Sequence, residues 1–180
     1  HPTNKPTVAR SVTGARGRTV VATGTLLETR TTGSGRSARV VTTYRQAQPI
    51  STYLMVIAAG PLVRHDLGET ACGFSDHRRC VRQSVYVAPE RREILPGNFA
   101  DAGEIVRFFA DKVGPYPYEK LAHLQSTTRF GGMENATAIF YDGTRYEGEW
   151  REDIPHGHGI MEWLSGDRYE GDLVENTRSG

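Results

Sequence analysis

Strand-forming residues dominate the first hundred positions of the chain, and no helical pattern interrupts them. Runs rich in Val, Thr, Tyr, Leu and Ile cover residues 19–29, 39–44, 51–63 and 83–88. Turn-forming residues separate these runs, among them the cluster at 32–35 and Pro49. Gly24 lies inside the first run, where we expect a β-bulge. Strands at this density predict a mainly β fold, sandwich-like or barrel-like in its amino-terminal part.

The apolar spacing changes over residues 100–113. There, apolar side chains recur at helical intervals on one side of the segment: Ile105, Phe108, Phe109 and Val113. Acidic residues in the first turn and a lysine near the end match the helix dipole. Gly114 and Pro115 would end such a helix. The sequence therefore predicts one short amphipathic helix in an otherwise β-rich chain.

Composition and charge exclude some classes of partner. The net charge of +1 gives no reason to expect nucleic acid. The longest apolar run, residues 53–63, is far shorter than the roughly 20 residues of a membrane helix, so we expect no transmembrane segment. The sequence begins with His1 rather than Met, so this end leaves a periplasmic, extracellular or cytoplasmic location open. Cys72 and Cys80 fit either a hairpin disulfide of an exported protein or two free thiols.

The carboxyl-terminal 40 or so residues carry a short repeat. Tyr169 follows Tyr146 by 23 positions, and Gly171 follows Gly148 by the same interval. A fixed short period is typical of stacked supersecondary units, here β-hairpins. In this pattern Trp150 and Trp163 are interpreted as the core of the repeat.

The segment from residue 121 to residue 141 contains the most informative string. Strand-like residues 121–126 and 136–141 flank Gly131 and Gly132, which predict a bend, and Glu134 with Asn135 forms an exposed polar pair after it. Glycine has no Cβ, so another backbone can approach closely. A carboxylate beside such a bend could hold a cation, for instance the α-ammonium of a peptide. On this chemistry alone, a plain hairpin turn with a solvated Glu is the competing interpretation.

The string Gly131-Gly132-Met133-Glu134-Asn135 resembles the Gly-x-Met-Glu-Asn exopeptidase motif of the aminopeptidase N family of zinc metallopeptidases, the gluzincin aminopeptidases. Residues 115–120 and 138–141 also fit bacterial members, and weaker landmarks extend the similarity to residues 1–141. The resemblance implies that Glu134 binds the free amine of a peptide and that the glycine-rich edge lies antiparallel to the peptide backbone. Residues 131–135 would then form half of a substrate-binding site for peptide amino termini.

The zinc-binding half of that family's site is missing from the sequence. The family binds zinc through a helical His-Glu-x-x-His motif. None of the six histidines precedes a Glu: they are His1, His65, His77, His123, His156 and His158. We therefore expect no catalytic residue, no metal ligand and no cofactor in this chain, although the family uses zinc. His156 and His158 are explained by the repeat, and His123 is interpreted as structural.

The repeat resembles the MORN repeat, through Tyr-x-Gly-x-Trp, His-Gly-x-Gly and Gly-Asp-Arg-Tyr. Together the two resemblances predict an amino-terminal β domain over 1–97, the start of a peptidase catalytic domain over 98–141, and one complete and one partial MORN repeat over 142–180. The expected protein is an inactive fragment or fusion of a metallo-aminopeptidase, with a join near Tyr141. The alternative is a non-enzymatic scaffold that contacts proteins or lipids through its MORN hairpins.

Overall fold

The computed structural model describes residues 6–70, 81–93, 95–126, 132–163 and 165–179. The mainly β fold predicted from the sequence is confirmed. Contacts divide the chain into two compact units, one of His1–Leu124 with Met133–Phe140 and one of Gln125–Gly132 with Tyr141–Gly180. The division into three domains expected from the sequence stays a prediction. Both cysteines lie outside the described residues.

The first unit is built from three small sheets. Its strands are β1 (Val8–Ala15), β2 (Thr19–Ala22), β3 (Thr25–Thr32), β4 (Arg39–Gln46), β5 (Ile57–Gly60), β6 (Val63–Thr70), β7 (Val81–Val87), β8 (Lys120–Gln125), β9 (Gly132–Asn135) and β10 (Ala138–Tyr141). The strand orders are β1-β4-β3, β2-β5 and β6-β7-β8-β10-β9. The pair β7 and β8 is parallel, and the helical segment of the chain connects the two strands. The main apolar cluster comprises Val21, Tyr86, Ala122, Leu124 and Ala138.

Gly24 does not form the expected bulge inside one strand. It separates β2 from β3, which belong to different sheets, and its φ of +89° is in the left-handed region. A Cβ at this position would overlap the backbone carbonyl of Arg45. The register shift instead falls between Leu26 and Glu28, where β3 pairs with β4. Glycine is required at position 24 because only a residue without a Cβ fits both the conformation and the space.

The predicted strand over residues 51–63 is also wrong in its first half. The chain forms a short 3₁₀ turn at Thr52–Leu54 before β5 begins at Ile57. Pro61 then lies between β5 and β6, since a proline has no N–H to contribute to a ladder. The β-branched and apolar residues of this run therefore serve two short strands of two different sheets.

Among the described residues between β7 and β8 there are two helices, α1 (Leu95–Asn98) and α2 (Ala102–Val113). The predicted helix is confirmed as α2, two residues shorter at its start, and Gly114 ends it with φ +109°. Its buried side chains are Ala102 and Ala110. The apolar stripe of Ile105, Phe108, Phe109 and Val113 is between 54% and 81% exposed. Small residues thus let the helix approach the sheet, and the large apolar ones face outward.

The second unit contains one antiparallel sheet in sequence order. Its strands are β11 (Arg145–Arg151), β12 (Ile154–Glu162), β13 (Arg168–Val174) and β14 (Thr177–Arg178). Two-residue turns join β11 to β12 and β13 to β14. All four turn residues have positive φ: Glu152, Asp153, Glu175 and Asn176. Paired left-handed residues characterise the type I′ turn, whose twist matches that of the flanking strands.

Candidate functional site

The strand β9 contains four of the five residues assigned to amine recognition. It is the edge strand of the five-stranded sheet, so one side of its backbone has no neighbouring strand among the described residues. Glu134 is exposed, and it has no ion pair or hydrogen bond to another side chain in the described part of the chain. Gly131 lies outside the described residues. An extended segment with a free carboxylate on a sheet edge can accept a peptide strand and its charged end.

Asn135 is not part of an exposed pair, because its side chain is only 8% exposed. Successive side chains of a strand point to opposite faces, so an exposed Glu134 places Asn135 on the covered face. Met133 is 39% exposed. The sequence interpretation of a solvated Glu134–Asn135 pair is therefore wrong for Asn135, which belongs to the packing of the sheet.

Thr137 lies in the turn between β9 and β10, and no sequence motif predicts its role. It is fully buried at a φ of +67°, an uncommon conformation for a β-branched residue. Its Oγ1 accepts a 2.9 Å hydrogen bond from the N–H of Gly24, and its carbonyl accepts one of 2.9 Å from Ala122. The backbone of Thr137 also hydrogen-bonds Tyr116. These contacts fix the turn that immediately follows the candidate recognition strand.

The strand β8 contributes two basic side chains, the half-buried Lys120 and the buried His123. Lys120 donates a 2.6 Å hydrogen bond from Nζ to the carbonyl of Ala22 and lies 5.1 Å from the centre of the Tyr44 ring. Burial lowers the pKa of Lys120 to about 7. It lowers the pKa of His123 to about 4. Both groups are thus shifted toward their neutral forms at neutral pH.

His123 is held by a polar network inside the fold. The Gln83 amide nitrogen donates to Thr70 Oγ1 at 2.6 Å and to the Ala102 carbonyl at 3.3 Å. The amide oxygen of Gln83 therefore faces His123 and accepts from its Nε2 at 3.0 Å. A neutral imidazole that donates through Nε2 fits the interpretation of His123 as a structural residue.

The described residues include no cluster suited to the zinc ion of the metallopeptidase family. Within the described ranges, no three His, Cys, Asp or Glu side chains come close enough to share a metal ion. The two histidines of the repeat have separate contacts: His158 Nδ1 lies 3.1 Å from Asp172, and His156 Nδ1 accepts from the N–H of Glu175. No chemical step through a metal follows from this donor set.

The second unit repeats its side-chain contacts at the 23-residue interval of the sequence. The Tyr146 hydroxyl donates to the carbonyl of Glu149 at 2.8 Å, and the Tyr169 hydroxyl donates to that of Asp172 at 2.8 Å. The Tyr146 ring lies over Gly159, where a Cβ would overlap it. The glycines of the repeat are therefore the places on which its tyrosines pack.

The two tryptophans do not share one core. Trp150 is 59% exposed, which contradicts its interpretation as repeat core, and it contacts Tyr146 edge to face at 5.0 Å. Trp163 is half-buried, with the guanidinium of Arg178 4.7 Å from the centre of its ring. Buried apolar side chains of this sheet are Met161 and Leu173.

Comparison with known proteins identifies two resemblances. Residues 146–168 match the family model of the MORN repeat. The fold is similar to that of M1 zinc metallopeptidases, among them the crystal structure of the enzyme from Deinococcus radiodurans, with a TM-score of 0.62 and 22% sequence identity over 77% of this chain. A mutant of a two-domain M1 zinc metallopeptidase bound to L-arginine matches equally, and one from Deinococcus radiodurans bound to a Tyr-Ser-Ala substrate matches with a TM-score of 0.61.

These likenesses define a fold. The chain covers 30% of the length of each of these metallopeptidase chains. The similarity therefore shows the fold, and it does not show the particular aminopeptidase family or its motif. In the described part of the chain, neither helix is long and apolar enough to cross a membrane.

Proposed function

We propose that this chain is a fragment or fusion derived from a zinc-dependent aminopeptidase of the aminopeptidase N family, which keeps a strand for recognising peptide amino termini and does not itself hydrolyse peptides. The observation that carries the proposal is the position of Glu134, exposed on the edge strand β9 without a partner among the described side chains. The similarity of fold to M1 zinc metallopeptidases supports it.

Recognition of a peptide amino terminus would use the free backbone edge of β9 and the carboxylate of Glu134. A peptide aligned antiparallel to β9 would exchange backbone hydrogen bonds with it, and its α-ammonium would meet the Glu134 carboxylate. Gly132, and Gly131 by resemblance, leave room for the approaching backbone. An exposed carboxylate–ammonium pair contributes about 1 kcal/mol or less, so we expect weak binding.

The absence of hydrolysis rests on the sequence. In the metallopeptidase family, zinc polarises the scissile carbonyl and a Glu activates the attacking water. No histidine of this chain precedes a Glu, so the His-Glu-x-x-His motif is missing. Orienting a substrate without supplying a nucleophile leaves most of the barrier in place.

The test compares ligands that differ only in the amine. Tyr-Ser-Ala and its N-acetylated form are titrated into the full chain, and the amide resonances of β9 are followed by NMR. We expect the free peptide to shift them, and the acetylated peptide and the Glu134→Gln variant to show no response. Glu69→Gln is the matched control, because Glu69 is an exposed acid on β6 at the opposite edge of the same sheet. Equal shifts in Glu134→Gln, or metal-dependent release from a chromogenic aminoacyl substrate, would reject the proposal.

A second candidate function is that of a non-enzymatic binding protein acting through the MORN hairpins. The match of residues 146–168 to the repeat and the exposed ring of Trp150 favour it. Contact with lipid is tested by co-sedimentation with vesicles of phosphatidylcholine and phosphatidylserine. Retention of the chain by the vesicles, and its loss in Trp150→Ala, would support this function over the first.

A further inference from the structure

The outer edge of β11 has the same sequence pattern as an edge of β13 that is paired with another strand of the sheet. Residues 145–150 read Arg-Tyr-Glu-Gly-Glu-Trp, and residues 168–173 read Arg-Tyr-Glu-Gly-Asp-Leu. In the described part of the chain, β13 pairs with β12 on one side and β14 on the other, whereas β11 pairs only with β12. Because β13 follows β11 by one 23-residue repeat, the free edge of β11 corresponds to the edge of β13 that contacts β12.

The contacts between β12 and β13 show what such an edge accepts. Gly159 lies opposite Gly171, and Gly157 lies opposite Leu173. His158 Nδ1 lies 3.1 Å from Asp172 Oδ1 between these two positions, and Arg168 Nε forms an ion pair with Glu162 at 3.9 Å farther along the strands. The strand that occupies this edge thus has glycines opposite Gly171 and Leu173, a histidine opposite Asp172 and an acid opposite Arg168.

The same charges are present along β11. Arg145 corresponds to Arg168, and Glu149 corresponds to Asp172. The two edges differ in the exposure of one side chain: Trp150 is 59% exposed, and its counterpart Leu173 is 1% exposed. A strand bound to the free edge of β11 would lower the exposure of Trp150 toward that of Leu173.

We propose that the free edge of β11 binds a strand with the pattern of β12, Gly-His-Gly-x-Met-Glu, from the terminal hairpin of a MORN array in another polypeptide. The acid of that strand pairs with Arg145 and its histidine with Glu149. Its glycines lie opposite Gly148 and Trp150. This surface is independent of the amine-recognition strand proposed above.

A second copy of this chain is a poorer occupant. Its own β12 is paired on both edges, and β14 has two residues. Antiparallel pairing of two β11 strands about Gly148 would set Glu147 against Glu149 and Arg145 against Arg151. Like charges directly opposite each other destabilise a strand pair.

The test uses the full chain and a capped synthetic peptide that copies residues 154–162, Ile-Pro-His-Gly-His-Gly-Ile-Met-Glu. We expect saturating peptide to slow amide exchange over β11 by about tenfold, because paired amides open less often. A peptide with Lys in place of the terminal Glu should not protect β11. That Lys peptide should regain protection with the Arg145→Glu chain.

Arg151→Glu is the matched control, because Arg151 lies beyond the last pair in the transposed register. It should bind the original peptide like the unchanged chain. Unchanged exchange in the pairing of β12 with β13 shows that each variant is folded. Absence of protection over β11 in a folded chain would overturn the proposal. Protection that rises with chain concentration and needs no peptide would also overturn it, in favour of self-association.

Discussion

The side-chain nitrogen of Lys120 donates a 2.6 Å hydrogen bond to the backbone carbonyl of Ala22, 98 positions earlier in the chain. Two carbonyls of β2 accept side-chain donors in this way, since the Tyr44 hydroxyl donates to Val20 at 2.8 Å. The Tyr44 ring also lies beside the Lys120 nitrogen. Lys120 and Tyr44 therefore connect β2 to strands of two other sheets through specific polar contacts.

Stability of the first unit should rise with pH above neutrality because of Lys120. Its pKa is about 7 in the folded chain and 10.5 as the ordinary value. Between these values the unfolded chain binds more protons, so the free energy of unfolding should increase by up to about 1.4 kcal/mol per pH unit. Urea unfolding followed by circular dichroism between pH 7 and pH 9 measures the slope. Lys120→Met should flatten the slope, and an equal slope in that variant would contradict the assignment.

His123 should make stability depend on pH in the same direction, but in the acid range. Burial lowers its pKa from 6.5 to about 4, so protonation of the unfolded chain weakens the fold as pH falls through this window. The loss should reach about 1.4 kcal/mol per pH unit at most. Unfolding measured at pH 6.5 and pH 5 in the unchanged chain and in His123→Gln isolates this group. A variant with undiminished acid sensitivity would show that another residue is responsible.

Replacing Gly24 should destabilise the first unit strongly. In Gly24→Ala the new Cβ meets the Arg45 carbonyl, and the φ of +89° is unfavourable for alanine. We expect a loss of about 3 kcal/mol or more, because strain and overlap add. Gly17→Ala is the matched control, with φ +77° and open space around the Cβ, and should lose about 1 kcal/mol. Similar losses for the two variants in thermal unfolding would argue against the overlap.

The second unit should open before the first. Its buried apolar side chains are Met161 and Leu173, whereas the first unit contains several buried clusters. Native-state amide exchange should therefore be faster over residues 146–173 than over β7 and β8. Gly159→Ala, which displaces the Tyr146 ring, should accelerate exchange in the second unit alone. Slow exchange throughout residues 146–173 in a dilute monomer would refute this prediction.

Local patterns predicted the elements of this fold better than their packing. The helix at Ala102–Val113 follows from apolar spacing, but the spacing does not tell which side is covered. The helix packs through Ala102 and Ala110, which permit a close approach, and through the half-buried Val106. In the same way, the run over residues 19–29 predicted strand but not the change of sheet at Gly24, which depends on the distant backbone of Arg45.

The exposure of Glu134 was predictable from its motif, whereas the burial of Asn135 was not. Glu134 is exposed on an edge, as the glycine-rich string indicates. Thr137 was missed because its conformation is set by partners at Gly24 and Ala122, far away in the sequence. Trp150 was misassigned because the repeat pattern marks a stacking position and does not show whether the neighbouring repeat is present.

The turns of the second unit have a consequence for how such a chain can grow. Glu152 and Asp153 recur 23 positions later as Glu175 and Asn176, all with left-handed backbone. Each 23-residue segment therefore carries its own reversal as well as its own strands. Duplication of 23 codons within this region would lengthen the sheet by two strands, with the twist of every existing hairpin unchanged. Gene-level expansion and contraction can thus alter the span of the sheet in whole units.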